Sequence, residues 1–157
     1  MSSDAEIIEM MKSAFDDVER TEHFTSYQHC DECFEHDELL RSRDLETLSR
    51  NDVGDGAWDP ITISSIQGFA YYLPALARLG LMDEGEGVWG WWGPQLFFHL
   101  NWDGPRNARW EFCSPAQRQA VLTLLEHILN TRGELVKSYN CEHDLMHSID
   151  IWSGGTE

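Results

Sequence analysis

The sequence predicts a mostly α-helical protein, an irregular helical bundle carrying one long Gly/Trp-rich loop. Three observations lead there: apolar residues recur at helical spacing, several helix-start signatures are present, and strand-like alternation is scarce. A chain of 157 residues is long enough to bury a core without staples, so residues 1–157 are expected to form a single domain.

The elements follow in order. Ser3-Asp4-Ala5-Glu6 is a capping box, and Ile8, Met11, Phe15 and Val18 behind it share helical spacing. A second helix is expected from about His29 to Arg41, with Cys33, Phe34 and Leu40 set among acids. Asp44 can cap a short helix containing Leu45 and Leu48, and Asn51 to Gly56 reads as a turn-rich loop. Ser64-Ser65-Ile66-Gln67 is read as another capping box, opening the most hydrophobic helix. Ile66, Phe69, Ala70, Leu73, Leu76 and Ala77 would form its buried stripe. Pro74 inside that pattern lacks a donor and crowds the carbonyl of Ala70, which predicts a kink or break. Leu79-Gly80-Leu81 supplies the stop.

From Asp83 to Pro94, Gly85, Gly87, Gly90 and Gly93 alternate with Trp89, Trp91 and Trp92, a density of glycine that means loop. A short helix over Pro94 to Leu100 follows. Ser114-Pro115-Ala116-Gln117 combines a cap, a proline at the first helical position and a capping-box glutamine. It starts a long helix through Val121, Leu124, Leu125, Ile128 and Leu129, ending near Gly133. A last helix is expected from Asn140 to about Trp152.

Charge narrows the function classes. Eleven Lys and Arg face 28 Asp and Glu, a formal net charge of −17. Such a surface repels nucleic acid and anionic membrane and attracts basic partners. The longest apolar stretch, Phe69 to Met82, is too short to span a bilayer and contains Pro74 and Arg78. The first residues lack the basic and apolar regions of a signal peptide, so a cytoplasmic location with reduced cysteines is expected.

The chemistry-bearing segment is His29-Cys30-Asp31-Glu32-Cys33-Phe34-Glu35-His36. Cys-x-x-Cys flanked by histidines has zinc-ligand spacing. On a helix, His29, Cys33 and His36 would share a face, and Cys141, His143 or His147 could close a site begun by Cys30 and Cys33. The same pair also reads as small apolar residues packed in a helix, or as a redox couple lacking the usual βαβ setting.

Adjacent acids such as Asp16-Asp17, Asp31-Glu32, Asp37-Glu38 and Asp83-Glu84 read as solvated charge. Residues 51–62 fail as a calcium loop, because Val53 and Thr62 stand at ligand positions. No nucleophile elbow or phosphate-binding loop is present. Pairings of Cys113 with His127 or His143 are no better than chance.

Gln28-His29-Cys30-Asp31-Glu32-Cys33, taken with Gly68-Phe69-Ala70-Tyr71-Tyr72-Leu73-Pro74-Ala75, resembles a family of small bacterial proteins without an established activity. The resemblance spans His23 to Leu81. It implies a bacterial or phage-related intracellular protein, with a bent helix packed beside the Cys-x-x-Cys segment.

Two functions lead among the readings consistent with these features, a third being a small stand-alone regulator whose acidity serves only solubility. The first is an acidic protein-binding module of the inhibitor or immunity type, capturing a basic, nucleic-acid-handling partner. Asp16, Asp17, Glu19, Glu22, Asp31, Glu32, Glu35, Asp37 and Glu38 would give its first two helices a negative face. Trp89, Trp91 and Trp92 would either close the core or anchor the partner. The second is a small zinc domain, structural or catalytic, on Cys30, Cys33, Cys141, His143 and His147.

Overall fold

The computed structural model describes residues 2–83 and 89–154. Nine α-helices form among them: α1 (Asp4–Ala14), α2 (Asp31–Arg41), α3 (Arg50–Val53), α4 (Ile66–Gly80), α5 (Gly93–Leu100), α6 (Ala108–Phe112), α7 (Pro115–Thr131), α8 (Gly133–Ser138) and α9 (Glu142–Trp152). Short 3-10 turns lie at Pro60–Ile63 and Gly104–Arg106, and no strand occurs among the described residues. The protein is mostly α, and no described helix is long and apolar enough to cross a membrane.

Helix α4 is the hub, packing against α1, α5 and α6, while α7 joins α1 to α9 and α9 covers α5. Phe69, Tyr72, Leu73, Leu76, Ala77 and Leu79 of α4 are all buried. Pro74 sits within the helix, which continues through it to Gly80. Ile66, expected in the buried stripe, is 41% exposed because it stands in the first turn. The cap is Ser65 accepting from Gly68 N, so the capping-box position falls on Gly68, which has no side chain to return the bond, and Gln67 donates to Glu19 O. The capping boxes at Ser3 and Ser114 form with Glu6 and Gln117 as the spacing predicts.

Other boundaries move for local reasons. Asp44 caps a turn, accepting from Glu46 N and Thr47 N, and no helix grows from it. Asn51 to Val53, expected in a loop, are helical behind a capping box of Ser49 and Asp52. The long helix ends at Thr131, and α8 follows directly.

The Gly/Trp-rich segment divides. Residues 84–88 lie outside the described residues. Trp91 and Trp92 are buried and take the core role, so they do not serve as partner anchors. Trp91 donates its indole N–H to Gly80 O, the last carbonyl of α4, while Ala77 O, Arg78 O and Leu79 O accept from Leu81 N and Met82 N. Buried Arg50 donates to Trp89 O and Gly90 O, fastening this segment to α3. Trp89 is half-buried.

Gly93 follows this turn so closely that a β-carbon there would collide with the Trp91 ring. A buried indole cannot yield by rotating away. Gly93→Ala is expected to lower stability by about 1–3 kcal/mol, read as a fall in denaturant midpoint at unchanged m-value.

Candidate functional site

Cys30 is the N-cap of α2, in extended backbone (φ −164°), and its sulfur accepts from Cys33 N at 3.4 Å. One helical turn brings the two sulfurs to 3.4 Å. The turn at 26–29, closed by His29 N donating to Ser26 O, sets His29 Nδ1 at 3.7 Å from Cys33 Sγ. The ligand atoms of His29, Cys30 and Cys33 all lie within 4.8 Å of one another, at the surface. Cys30 and His29 are exposed and Cys33 is half-buried.

The two thiols are not equivalent. The Cys33 amide, then His29 and the Cys33 thiol, stabilise charge on Cys30 and lower its pKa to about 7. The Cys33 thiol is pushed up, first by donating to Cys30. Burial raises Cys113 to about 12 and Cys141 to about 11, leaving those thiols protonated and inert.

The platform under this cluster is held by Asp37. Its buried carboxylate accepts from Phe24 N at 2.6 Å and Thr25 N at 3.2 Å, and pairs with His23 Nδ1 at 2.7 Å. Thr25 Oγ1 donates to Cys33 O at 2.7 Å, and the His23 ring stacks on Tyr27 at 3.7 Å. The chain that leads into Cys30 is therefore pinned to α2 at both residues 23–25 and 33.

The expected site residues distribute as follows. Asp31, Glu32, Glu35 and Glu38 are exposed on α2, but Asp37 is 1% exposed and belongs to the interior, because three donors require it there. Asp16, Asp17 and Glu19 are exposed yet follow the end of α1, and Asp17 accepts from Gln117 on α7. They do not form a helical face with the α2 acids as expected. Cys141 is buried, with its sulfur 3.6 Å from Val136 O, and His143 and His147 are exposed on α9. Among the described residues these three do not join Cys30 and Cys33; His29 does. His36 turns inward against the Trp58 ring, its Nε2 3.4 Å from Glu32 Oε2 without hydrogen-bond geometry.

A second polar cluster escapes sequence reasoning altogether. Asp59 and His99, both buried, meet at 2.7 Å. Gln95 also donates to Asp59, and Arg109 donates to His99 O and Ile61 O while lying 4.2 Å over the Phe69 ring. Burial pulls the Arg109 guanidinium down to about 10. Asp59, His99 and Arg109 are buried and Gln95 is half-buried, and their bonds join α5, α6 and the Pro60–Ile63 turn. The Asx cap at Asp59-Pro60 is the cluster's one local signal.

No family model, curated protein or solved structure matches the chain.

Two outcomes are expected. Asp37→Ala leaves two buried amides without an acceptor and should cost about 3 kcal/mol in denaturant unfolding. Alkylation of Cys30 should rise with pH through a midpoint near 7 as thiol becomes thiolate. Cys33 should follow only above the ordinary thiol range, with mass mapping separating the two.

Proposed function

We propose that the protein binds a soft divalent metal ion, with zinc as the reference case, through His29, Cys30 and Cys33. The observation that supports this reading is the convergence of one imidazole and two sulfurs within 4.8 Å at the surface. Two thiolates and an imidazole are the donors zinc prefers, and three protein ligands leave a fourth position for water or a partner's group. The exposed carboxylates of α2 raise the local cation concentration around them. The reducing bacterial cytoplasm expected for this chain would keep both sulfurs available as ligands.

Equilibrium dialysis against zinc under reducing conditions tests it. One ion per chain is expected, with Cys30→Ser or Cys33→Ser weakening binding by at least about 100-fold, since even outer partners of metal ligands are worth 10–100-fold. Cys141→Ser should leave affinity unchanged. Equal affinity in Cys30→Ser and the parent chain would refute the site.

A second reading concerns partners. Capture of a basic protein, in the manner of an inhibitor or immunity protein, is supported by one surface feature. Asp31, Glu32, Glu35 and Glu38 are exposed on α2 beside Phe34, which is 51% exposed, while Trp58 from the neighbouring loop is 47% exposed. With Trp91 and Trp92 in the core, Phe34 and Trp58 become the apolar anchors of this reading. Affinity for a basic nuclease should fall at least about tenfold between low and physiological salt. It should fall similarly in the triple variant Asp31→Asn, Glu35→Gln, Glu38→Gln. Salt-independent binding would contradict electrostatic capture.

A further inference from the structure

We propose that Cys30 and Cys33 are also a dithiol–disulfide couple that exchanges with disulfides carried by positively charged molecules, and that oxidation disarms the metal site. The exchange stands on the sulfur geometry alone; its control over metal rests on the reading above.

The geometry favours an internal disulfide. The sulfurs are 3.4 Å apart and need only close to about 2.05 Å, a movement within reach of one side-chain rotation at a helix cap. Cys30 precedes the first turn of α2, so the adjustment need not break a bond in the helix interior. The exposed Cys30 is the sulfur that an incoming disulfide reaches, and half-buried Cys33 stands directly behind it as the resolving thiol. Cys113 and Cys141 are 4% and 2% exposed and cannot compete.

The electron balance is complete with one disulfide, R–S–S–R′, as oxidant. Cys30 sulfur, as thiolate, attacks one sulfur of that bond, and R′S⁻ leaves and is protonated by solvent. A mixed disulfide now joins Cys30 to RS. Cys33 loses its proton to solvent or to the His29 imidazole 3.7 Å away, and its sulfur attacks that of Cys30. The second thiolate, RS⁻, leaves and is protonated. Two electrons have passed from the Cys30–Cys33 dithiol to the substrate disulfide, giving two free thiols. With both sulfurs in a disulfide, only His29 of the three ligands remains able to bind zinc.

Charge selects the substrate. Asp31, Glu32 and Glu35 stand exposed on the first turns of α2 around the thiols. Arg20 is the sole Lys or Arg between residues 16 and 38. Its guanidinium is engaged with the carbonyls of Leu40, Arg41 and Arg43. A cationic disulfide is therefore attracted to Cys30 and an anionic one repelled.

The test uses the full chain, reduced and freed of metal by a chelator. Cystamine, which is dicationic, and oxidised glutathione, which is anionic, are compared at equal concentration. The readout is loss of the Cys30 and Cys33 thiols by maleimide labelling and mass mapping. Cystamine is expected to form the internal disulfide at least about tenfold faster at low salt, with the ratio shrinking as salt screens the surface. Cys33→Ser should accumulate a mixed disulfide at Cys30, whereas Cys30→Ser should not trap one at Cys33. The oxidised chain should then lose zinc affinity. A pair that stays reduced, or that reacts as fast with oxidised glutathione, would overturn the proposal without any variant being needed. A chain that exchanges as expected but binds no zinc when reduced refutes the metal reading and its control, leaving the exchange intact.

Discussion

The buried Asp37 carboxylate fixes the 23–25 segment to α2, and the connection of both to α4 runs through that segment. The carboxylate takes the amides of Phe24 and Thr25 and the imidazole of His23, so a segment without regular structure is fixed against α2. Phe24 then passes the constraint on. Its carbonyl accepts from Ser65 N at the start of α4, and its ring packs at 5.2 Å from Tyr72. Tyr72 returns to α2 by donating to Leu40 O at 2.5 Å, with Arg43 O a second acceptor nearby at 2.9 Å. This closed circuit runs from α2 through the 23–25 segment to α4 and back. Burial pushes the Tyr72 phenol up to about 12, keeping its donor proton in place at neutral pH.

The thiol cluster is a product of that circuit. Cys30 is well placed only because residues 26–29 turn between a pinned Thr25 and a capped helix. Nothing in the cluster itself is buried enough to hold it. A surface site of this kind borrows its order from the core beneath, which is how exposed chemistry is positioned on a small helical protein.

What was legible in the sequence was local. Ser3 with Glu6 and Ser114 with Gln117 each act across three residues, and both appear as read. The hydrophobic stripe of α4 was likewise visible in its spacing. Asp37 was not: it looks like one more acid in an acidic run, and its three partners lie 12 to 14 positions away. His36 was misplaced for the same reason, since the Trp58 that covers it comes from another loop. Asp59 and His99 are 40 residues apart and Arg109 follows later still, so no window of sequence contains that cluster. Cys141, His143 and His147 have metal-ligand residue types, but α8 and α9 carry them to a different part of the fold. His29, expected on the helical face of Cys33, joins the thiols from the turn before the helix instead.

The sulfur and nitrogen set at the start of α2 is the central claim, and its direct measurement is X-ray absorption at the zinc edge of the reduced chain loaded with one equivalent. Two sulfur scatterers at about 2.3 Å and at least one nitrogen or oxygen scatterer at about 2.0–2.1 Å, with imidazole multiple scattering, are the expected shell. A shell of oxygen and nitrogen alone would contradict the account.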